Sequence, residues 1–186
     1  MDGSLVAALT AHVPRTADEA RDTERVRSLL GDSPWDRSTP LHVTGSALVV
    51  DPAARRVLLR WHERQHAWLQ VGGHGDPGED DPFEVALREA EEETGLGDLV
   101  AWPDTHGRQP VHLVVVPVPA GKGEPAHEHA DIRYVLATEH PEAARPETPS
   151  APMRWLTLRE AFDLTAEDNL RETLRRVAEL FAEGHG

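Results

Sequence analysis

Hydrophobic and polar positions divide the 186-residue chain into a helical start, a strand-rich middle and a helical end. The first 31 residues have helical spacing, with a break near Pro14 and a capping pattern that begins at Thr16. Apolar stretches predict strands over 41–50, 56–62, 67–71, 111–118, 131–137 and 153–156. Helical patterns return over 158–164 and 167–183. Strands mixed with helices on both sides of one core predict an α/β sandwich.

One helix in the middle of the chain has clear start and stop signals. Asp81 is a good N-cap, Pro82 suits the first helical position, and Glu84 follows three residues after the cap. Gly95 is a typical stop after Thr94. The apolar stripe of this predicted helix consists of Phe83, Ala86, Leu87 and Ala90.

Three carboxylates share one sector of this predicted helix, beside its apolar stripe. Glu89, Glu92 and Glu93 have i, i+3 and i+4 spacing, at which like charges repel one another. A glutamate-rich helix face is most often just solvated, but here a glycine-rich loop over 72–78 precedes the helix and Arg88 adjoins the cluster. Together these features favour a bound cation, and oxygen ligands select Mg²⁺ or Mn²⁺ over zinc.

The composition narrows the function classes. A formal charge of −14, with Lys122 as the one lysine, argues against binding to a nucleic-acid polymer or an anionic membrane. Without cysteine, the chain has no thiolate metal site and no cysteine nucleophile. The first 13 residues lack a secretory signal pattern, and no apolar run is long enough to span a bilayer, so a cytoplasmic protein is expected.

The glycine loop and the capped helix resemble the signature of the Nudix hydrolases, which reads Gly-x5-Glu-x7-Arg-Glu-U-x-Glu-Glu-x-Gly-U, with U apolar. Gly73 and Glu79 match its first half with the right spacing. Its second half is matched completely by Arg88, Glu89, Ala90, Glu92, Glu93, Gly95 and Leu96. Eight residues instead of seven separate Glu79 from Arg88, so we infer a one-residue insertion, with Asp80 or Asp81 as substitutes if Glu79 is not the matching residue.

The resemblance implies a Nudix-type α/β/α sandwich with a mixed β-sheet over residues 41–186, preceded by a helical extension over residues 1–40. It implies an enzyme that cleaves a phosphoanhydride bond in a nucleoside-diphosphate-linked or related small phosphorylated metabolite, with Mg²⁺ or Mn²⁺. By similarity, the metal ligands are Gly72, Glu89, Glu92 and Glu93, and Arg88 ties the loop to the helix. The extension could cap the core, cover the substrate cleft or form a homodimer contact.

The family's general base is sometimes in the signature and sometimes on a later segment, so two locations stay open here. One is Glu89. The other is the later segment, with the candidates Glu124, His127, Glu128, His129 and Asp131. From it, Glu128 joins Arg88, Glu89, Glu92 and Glu93 in the predicted catalytic set. The alternation of His127, His129 and Asp131 would place them on one strand face, either as a metal or phosphate site or as an ordinary polar strand end.

Other side chains have both a functional and a structural interpretation. His74 is near the predicted metal site by position, but it could equally be a hydrogen-bonded loop residue. Trp61 and Trp68 could stack on a planar ligand group, although core packing is commoner. Candidate phosphate-binding arginines are Arg60, Arg64 and Arg133.

Three rival functions are weighed against the hydrolase. A non-catalytic Nudix module that binds a ligand and regulates a partner would usually lose the signature carboxylates, which this chain keeps. An isomerase of the same fold resembling isopentenyl diphosphate isomerase would use a cysteine, which this chain lacks. A purely structural acidic protein would leave the glycine loop unexplained. The substrate stays open among nucleoside triphosphates, nucleotide sugars, dinucleoside polyphosphates and ADP-ribose-like compounds.

Overall fold

The structure is a computed structural model that describes residues 3–121, 123 and 125–183. Its helices are α1 (Gly3–Ala11), α2 (Ala17–Arg27), α3 (Pro82–Thr94), α4 (Leu158–Leu164) and α5 (Asp168–Glu183). Its strands are β1 (Leu41–Asp51), β2 (Arg56–His62), β3 (Ala67–Leu69), β4 (Val71–His74), β5 (Val100–Ala101), β6 (His112–Val118), β7 (His127–Ala137) and β8 (Met153–Thr157). No described helix is both long and apolar enough to cross a membrane.

The strands form one mixed sheet of eight strands. Its centre is a parallel pair, β1 and β7, whose partners run from Leu41↔Glu128 to Val50↔Ala137. The other pairings are antiparallel. On the side of β1 away from β7, β4 pairs with the first half of β1 and β2 pairs with its end. Strands β6 and β5 pair with β7. The two outer strands β3 and β8 both pair with β2.

Helices cover both faces of this sheet, because the apolar residues of β1 alternate between two cores. Val43, Ala47 and Val49 face a core shared with α1, α2 and α3. Leu48 and Val50 face the opposite core, shared with α4 and α5. The predicted α/β sandwich with a mixed sheet is therefore confirmed.

Helix α3 has the bounds that its sequence signals predict. The Asp81 side chain accepts a hydrogen bond from the Phe83 amide, and Pro82 is the first helical residue. Gly95 ends the helix in the left-handed region, with φ of 67°, and donates its N–H to the Glu91 carbonyl.

Two predicted strand bounds are wrong. The predicted strand 67–71 is two strands, because the chain changes partner at Gln70 from β2 to β1. The second strand extends into the expected loop over 72–78 and ends at His74. Strand β7 begins at His127, four residues before the predicted start at Asp131. The polar residues at its start are held in the sheet by backbone pairing to β1 and β6, which polarity alone does not reveal.

The described part of the extension, residues 3–40, packs against the sheet. Leu5 and Leu9 of α1 and Val26 of α2 are buried in the α3-side core. Glu19 of α2 is bound to Arg176 of α5, with Arg176 Nη1 donating to Glu19 Oε1 at 2.7 Å, and both side chains are almost fully buried. Burial raises the pKa of Glu19, but hydrogen bonds with His12 and Arg176 outweigh it and hold the pKa below the ordinary value.

Candidate functional site

Arg88 links the loop before α3 to the carboxylates on that helix. Its Nε and Nη2 donate to the two carboxylate oxygens of Glu79, each at 3.0 Å. Nη1 donates to Glu89 at 3.0 Å and to Glu92 at 3.1 Å, and Nη2 also donates to the His74 carbonyl at 2.9 Å. One guanidinium therefore contacts two helix carboxylates and two points of the loop.

The Arg88–Glu79 contact bears on the one-residue insertion. The hydrogen bonds with Arg88 are the largest cause that lowers the pKa of Glu79. Asp80 is exposed, and Asp81 is occupied as the α3 cap. This geometry favours the alignment in which Glu79 is the signature residue.

Glu89 lies directly against the backbone of Gly73. A Cβ on Gly73 would lie 2.5 Å from Glu89 Cδ, so a side chain at this position would displace the carboxylate. Burial raises the pKa of Glu89, and the hydrogen bond from Arg88 partly opposes the shift. The fit explains why glycine is suited to this position in the loop.

Glu93 is the most buried of the three helix carboxylates. Its Oε2 accepts from the Gly72 amide at 3.1 Å, and its Oε1 lies 3.0 Å from Arg60 Nη1. Burial raises the pKa of Glu93 to about 7, although Arg60 and the Gly72 amide both lower it. Gly72 has φ of 149°, and a Cβ there would lie 2.3 Å from Ser46 Cβ.

The donor set suits a hard divalent cation. Glu89, Glu92 and Glu93 offer only oxygen, which Mg²⁺ prefers. Burial raises the pKa of Glu89 and of Glu93, and a cation bound between these carboxylates would oppose that shift. The three carboxylates do not converge on one point within the described ranges, because Arg88 holds two of them and Arg60 holds the third.

The predicted base segment is divided between the two faces of β7. Glu128 binds Arg25 of α2, with Nη2 donating to Oε2 at 2.6 Å, so its carboxylate already has a structural partner. His127 and His129 alternate with it and lie on the opposite face, where His129 approaches His74. Glu124 lies outside the described residues.

Asp131 and Arg133 have structural partners on the α5 side of the sheet. Asp131 accepts hydrogen bonds from Thr44, Ser46 and Arg133. The Arg133 guanidinium also donates to Thr173 and to Asn169 of α5. These contacts occupy Arg133, which therefore fits a structural role better than phosphate binding.

The two tryptophans pack against each other across β2 and β3. Trp61 and Trp68 are register partners, and their rings meet edge to face with centroids 5.7 Å apart. The Arg154 guanidinium lies 4.6 Å from the centroid of the Trp68 ring, and Trp68 also packs on the α5-side core. These packing contacts explain the tryptophan at position 68 without a stacked ligand.

Sequence reasoning missed His42. It lies on β1 beside His129 and within hydrogen-bonding distance of His74. A cleft with a volume of about 1070 Å³ opens beside these histidines, lined also by Arg37, Arg64 and Pro117. No local pattern marks His42, because the contact depends on the pairing of β1 with β7, which are far apart in sequence.

A family model described as NUDIX domain matches residues 40–180. A relative from Lactococcus lactis subsp. cremoris, named a probable DHNTP pyrophosphohydrolase, is 30% identical over 143 residues, which are 72% of this chain and 79% of the relative.

Solved structures have the same fold. A Clostridium perfringens hydrolase of the NUDIX family has a TM-score of 0.56 at 26% identity, over 77% of this chain and 98% of that one. A C. elegans Ap4A hydrolase, in a binary complex, has a TM-score of 0.59 at 19% identity, over 76% of this chain and 98% of that one. At 19% identity, the second likeness concerns the fold alone.

Proposed function

We propose that this chain, which belongs to the Nudix hydrolase family, uses Mg²⁺ or Mn²⁺ on α3 to cleave a phosphoanhydride bond in a small phosphorylated metabolite. The observation that carries the proposal is the Arg88 network, which joins the glycine loop to the helix carboxylates. The proposed principal metal ligands are Glu92, Glu93 and the carbonyl of Gly72, and Glu89 is either a further ligand or the group that activates water.

The position of Gly72 supports its place among these ligands. Its amide donates to the Glu93 carboxylate at 3.1 Å, so the Gly72 backbone adjoins another of the proposed ligands.

When bound, the divalent cation would neutralise phosphate charge and lower the pKa of an attacking water. Glu89 is our proposed base, because it adjoins the loop backbone at Gly73 whereas Glu128 is bound to Arg25. The water oxygen bonds to phosphorus, the bridging P–O bond breaks, and the water proton passes to the Glu89 carboxylate. Arg88 orients that carboxylate and holds the loop in place.

The base assignment is tested by comparing Glu89→Gln with Glu128→Ala. A general base contributes about 10²–10⁴-fold, so Glu89→Gln should lower kcat by that order. Glu128→Ala should leave kcat within about threefold of the wild type, since it removes a half-exposed ion pair worth at most about 1 kcal/mol. A large loss of kcat in Glu128→Ala together with a fully active Glu89→Gln would show that the base is Glu128 on β7 and not Glu89.

The substrate class is a further part of the proposal. The name of the Lactococcus relative makes DHNTP, a pterin triphosphate, the first compound to test. A phosphate-release screen should also include nucleoside triphosphates, nucleotide sugars, dinucleoside polyphosphates and ADP-ribose, each with and without Mg²⁺. Hydrolysis of at least one compound only with the metal is the expected result. Tight binding of such compounds without any turnover would instead support a non-catalytic ligand-binding module.

A further inference from the structure

Four histidines meet on the face of the sheet opposite α3. His42 of β1 and His129 of β7 are direct register partners, and His127 lies on the same face of β7 as His129. His74 reaches them from β4, on the other side of β1. The Nε2 atom of His74 lies 3.1 Å from that of His42 and 3.2 Å from that of His129, and the Nε2 atoms of His127 and His129 are 3.1 Å apart.

The rings of His42 and His127 are the outer two of this cluster, those of His74 and His129 the inner two, and the outer rings direct a lone pair toward the inner ones. His42 Nδ1 lies 3.0 Å from the Thr39 carbonyl oxygen, and His127 Nδ1 lies 2.9 Å from the Pro125 carbonyl oxygen. A carbonyl oxygen only accepts hydrogen bonds, so each Nδ1 carries the proton. A neutral imidazole has one N–H, so in the neutral form of both rings Nε2 has a free lone pair.

No set of neutral tautomers satisfies the three close contacts together. His74 must donate to His42, and His129 must donate to His127, because the two outer Nε2 atoms can only accept. The contact between His74 and His129 then places two N–H groups 3.2 Å apart. Removing the proton from either inner ring instead leaves two lone pairs facing each other in one of the other contacts. A cation between the rings removes the conflict, since all the lone pairs then point at it.

Burial disfavours the charged form of these rings, and a metal ion binds imidazole in its neutral form. Burial, reinforced by the other nearby imidazoles, lowers the pKa of His74 to about 3 and that of His129 to about 4. The pKa of His42 is lowered as well, chiefly by burial.

We propose that His42, His74 and His129 bind a transition-metal ion, with Zn²⁺ the best match, and that His127 completes the site. The potential ligand atoms of the first three all lie within 4.8 Å of one another. Two nitrogens at about 2.0–2.1 Å from one tetrahedral Zn²⁺ stand about 3.3 Å apart. The observed separations of 3.1 and 3.2 Å are close to this distance.

This site differs from the carboxylate site in place and in chemistry. Imidazole nitrogen suits Zn²⁺, Cu²⁺ and Ni²⁺, whereas the oxygen donors of α3 suit Mg²⁺. His74 connects the two sites, because its carbonyl accepts from Arg88 while its ring belongs to the histidine cluster. The carbonyls of Thr39 and Pro125 fix the ring orientations, as hydrogen-bond partners of metal-bound histidines commonly do.

The cleft beside the histidines suggests the kind of ligand that such an ion would take. His42, His74, His127 and His129 all line it, so a bound ion is accessible from the cleft. Neutral imidazoles leave the ion with its full charge. An anionic ligand such as a phosphate group is therefore the class that we expect to bind there.

The test is a zinc titration of untagged protein that has been stripped with EDTA and returned to buffer containing excess Mg²⁺. The excess Mg²⁺ competes with Zn²⁺ for the carboxylate site. Calorimetry should therefore detect one Zn²⁺ per chain that binds in spite of the Mg²⁺. His129→Ala should weaken this binding by at least about 100-fold, since changes to hydrogen-bond partners of ligands already cost 10–100-fold. His127→Ala, at the start of its strand, is a second variant in case His129→Ala does not fold.

Two controls separate this site from others. His140→Ala removes an exposed histidine elsewhere and should leave zinc affinity unchanged. Glu93→Gln alters the carboxylate site and should also leave it unchanged, so the zinc result does not depend on the proposed hydrolase activity. X-ray absorption of the zinc-loaded protein should show three or four imidazole ligands. The proposal is overturned if the wild type binds no Zn²⁺ in excess Mg²⁺, or if folded His129→Ala and His127→Ala both bind it as tightly as the wild type.

Discussion

Replacing Glu79 by Gln should disturb the link between the glycine loop and α3. The Glu79 carboxylate accepts two hydrogen bonds from Arg88, both at 3.0 Å, and both side chains are about three-quarters buried. A hydrogen bond to a charged group contributes about 1.5–3 kcal/mol. Gln keeps one acceptor but loses the charge, so we expect a loss of roughly 1.5–3 kcal/mol in the positioning of the loop.

That loss corresponds to a fall in kcat/KM of about 10- to 100-fold, at 1.4 kcal/mol for each factor of ten. Asp80→Asn is the matched control, because it removes the same charge one residue further on, at an exposed position. Its kcat/KM should stay within about twofold of the wild type. The assay is initial-rate hydrolysis of the best substrate, with thermal melts to confirm folding. Equal losses in both variants, or the reverse order, would refute the alignment that places Glu79 in the signature.

Two further variants test the α2–α5 contact and the loop. Glu19→Gln should lower the free energy of unfolding, measured by urea denaturation, by about 3 kcal/mol, because it removes the buried one of the two carboxylates that pair with Arg176. The exposed Glu179→Gln should cost at most about 1 kcal/mol. Since the pKa of Glu19 lies below its ordinary 4.5, the stability it contributes is complete above that pH and lost as the pH falls, so the variant should show a weaker loss of stability toward low pH. Gly73→Ala should lower kcat by about 10²-fold by displacing a carboxylate, with little change in stability, while Gly97→Ala, which has open space, should not. Unchanged stability in Glu19→Gln or unchanged kcat in Gly73→Ala would contradict these contacts.

The sequence predicts those parts of the site that depend on local signals. The bounds of α3 follow from the cap at Asp81, the proline at 82 and the glycine at 95, all within or next to the helix. The shared sector of Glu89 and Glu93 follows from helix periodicity alone.

Contacts between distant segments could not be predicted in the same way. The histidine cluster requires β1 to run parallel to β7 in one register, which brings His42 beside His129. A shift of one residue would turn the ring of His129 to the other face. The Glu19–Arg176 pair likewise joins the two ends of the chain, and neither residue has a sequence neighbour that indicates the other.

The central claim, metal-dependent hydrolysis by the α3 carboxylates, is tested most directly by comparing phosphate release from wild type, Glu93→Gln and Glu91→Gln with Mg²⁺ and with EDTA. Glu91 is an exposed carboxylate on the same helix, so its variant is the matched control. We predict that EDTA abolishes turnover, that Glu93→Gln loses at least about 10²-fold in kcat while remaining folded, and that Glu91→Gln keeps near-normal activity. Turnover that persists in EDTA, or a fully active Glu93→Gln, would contradict the claim.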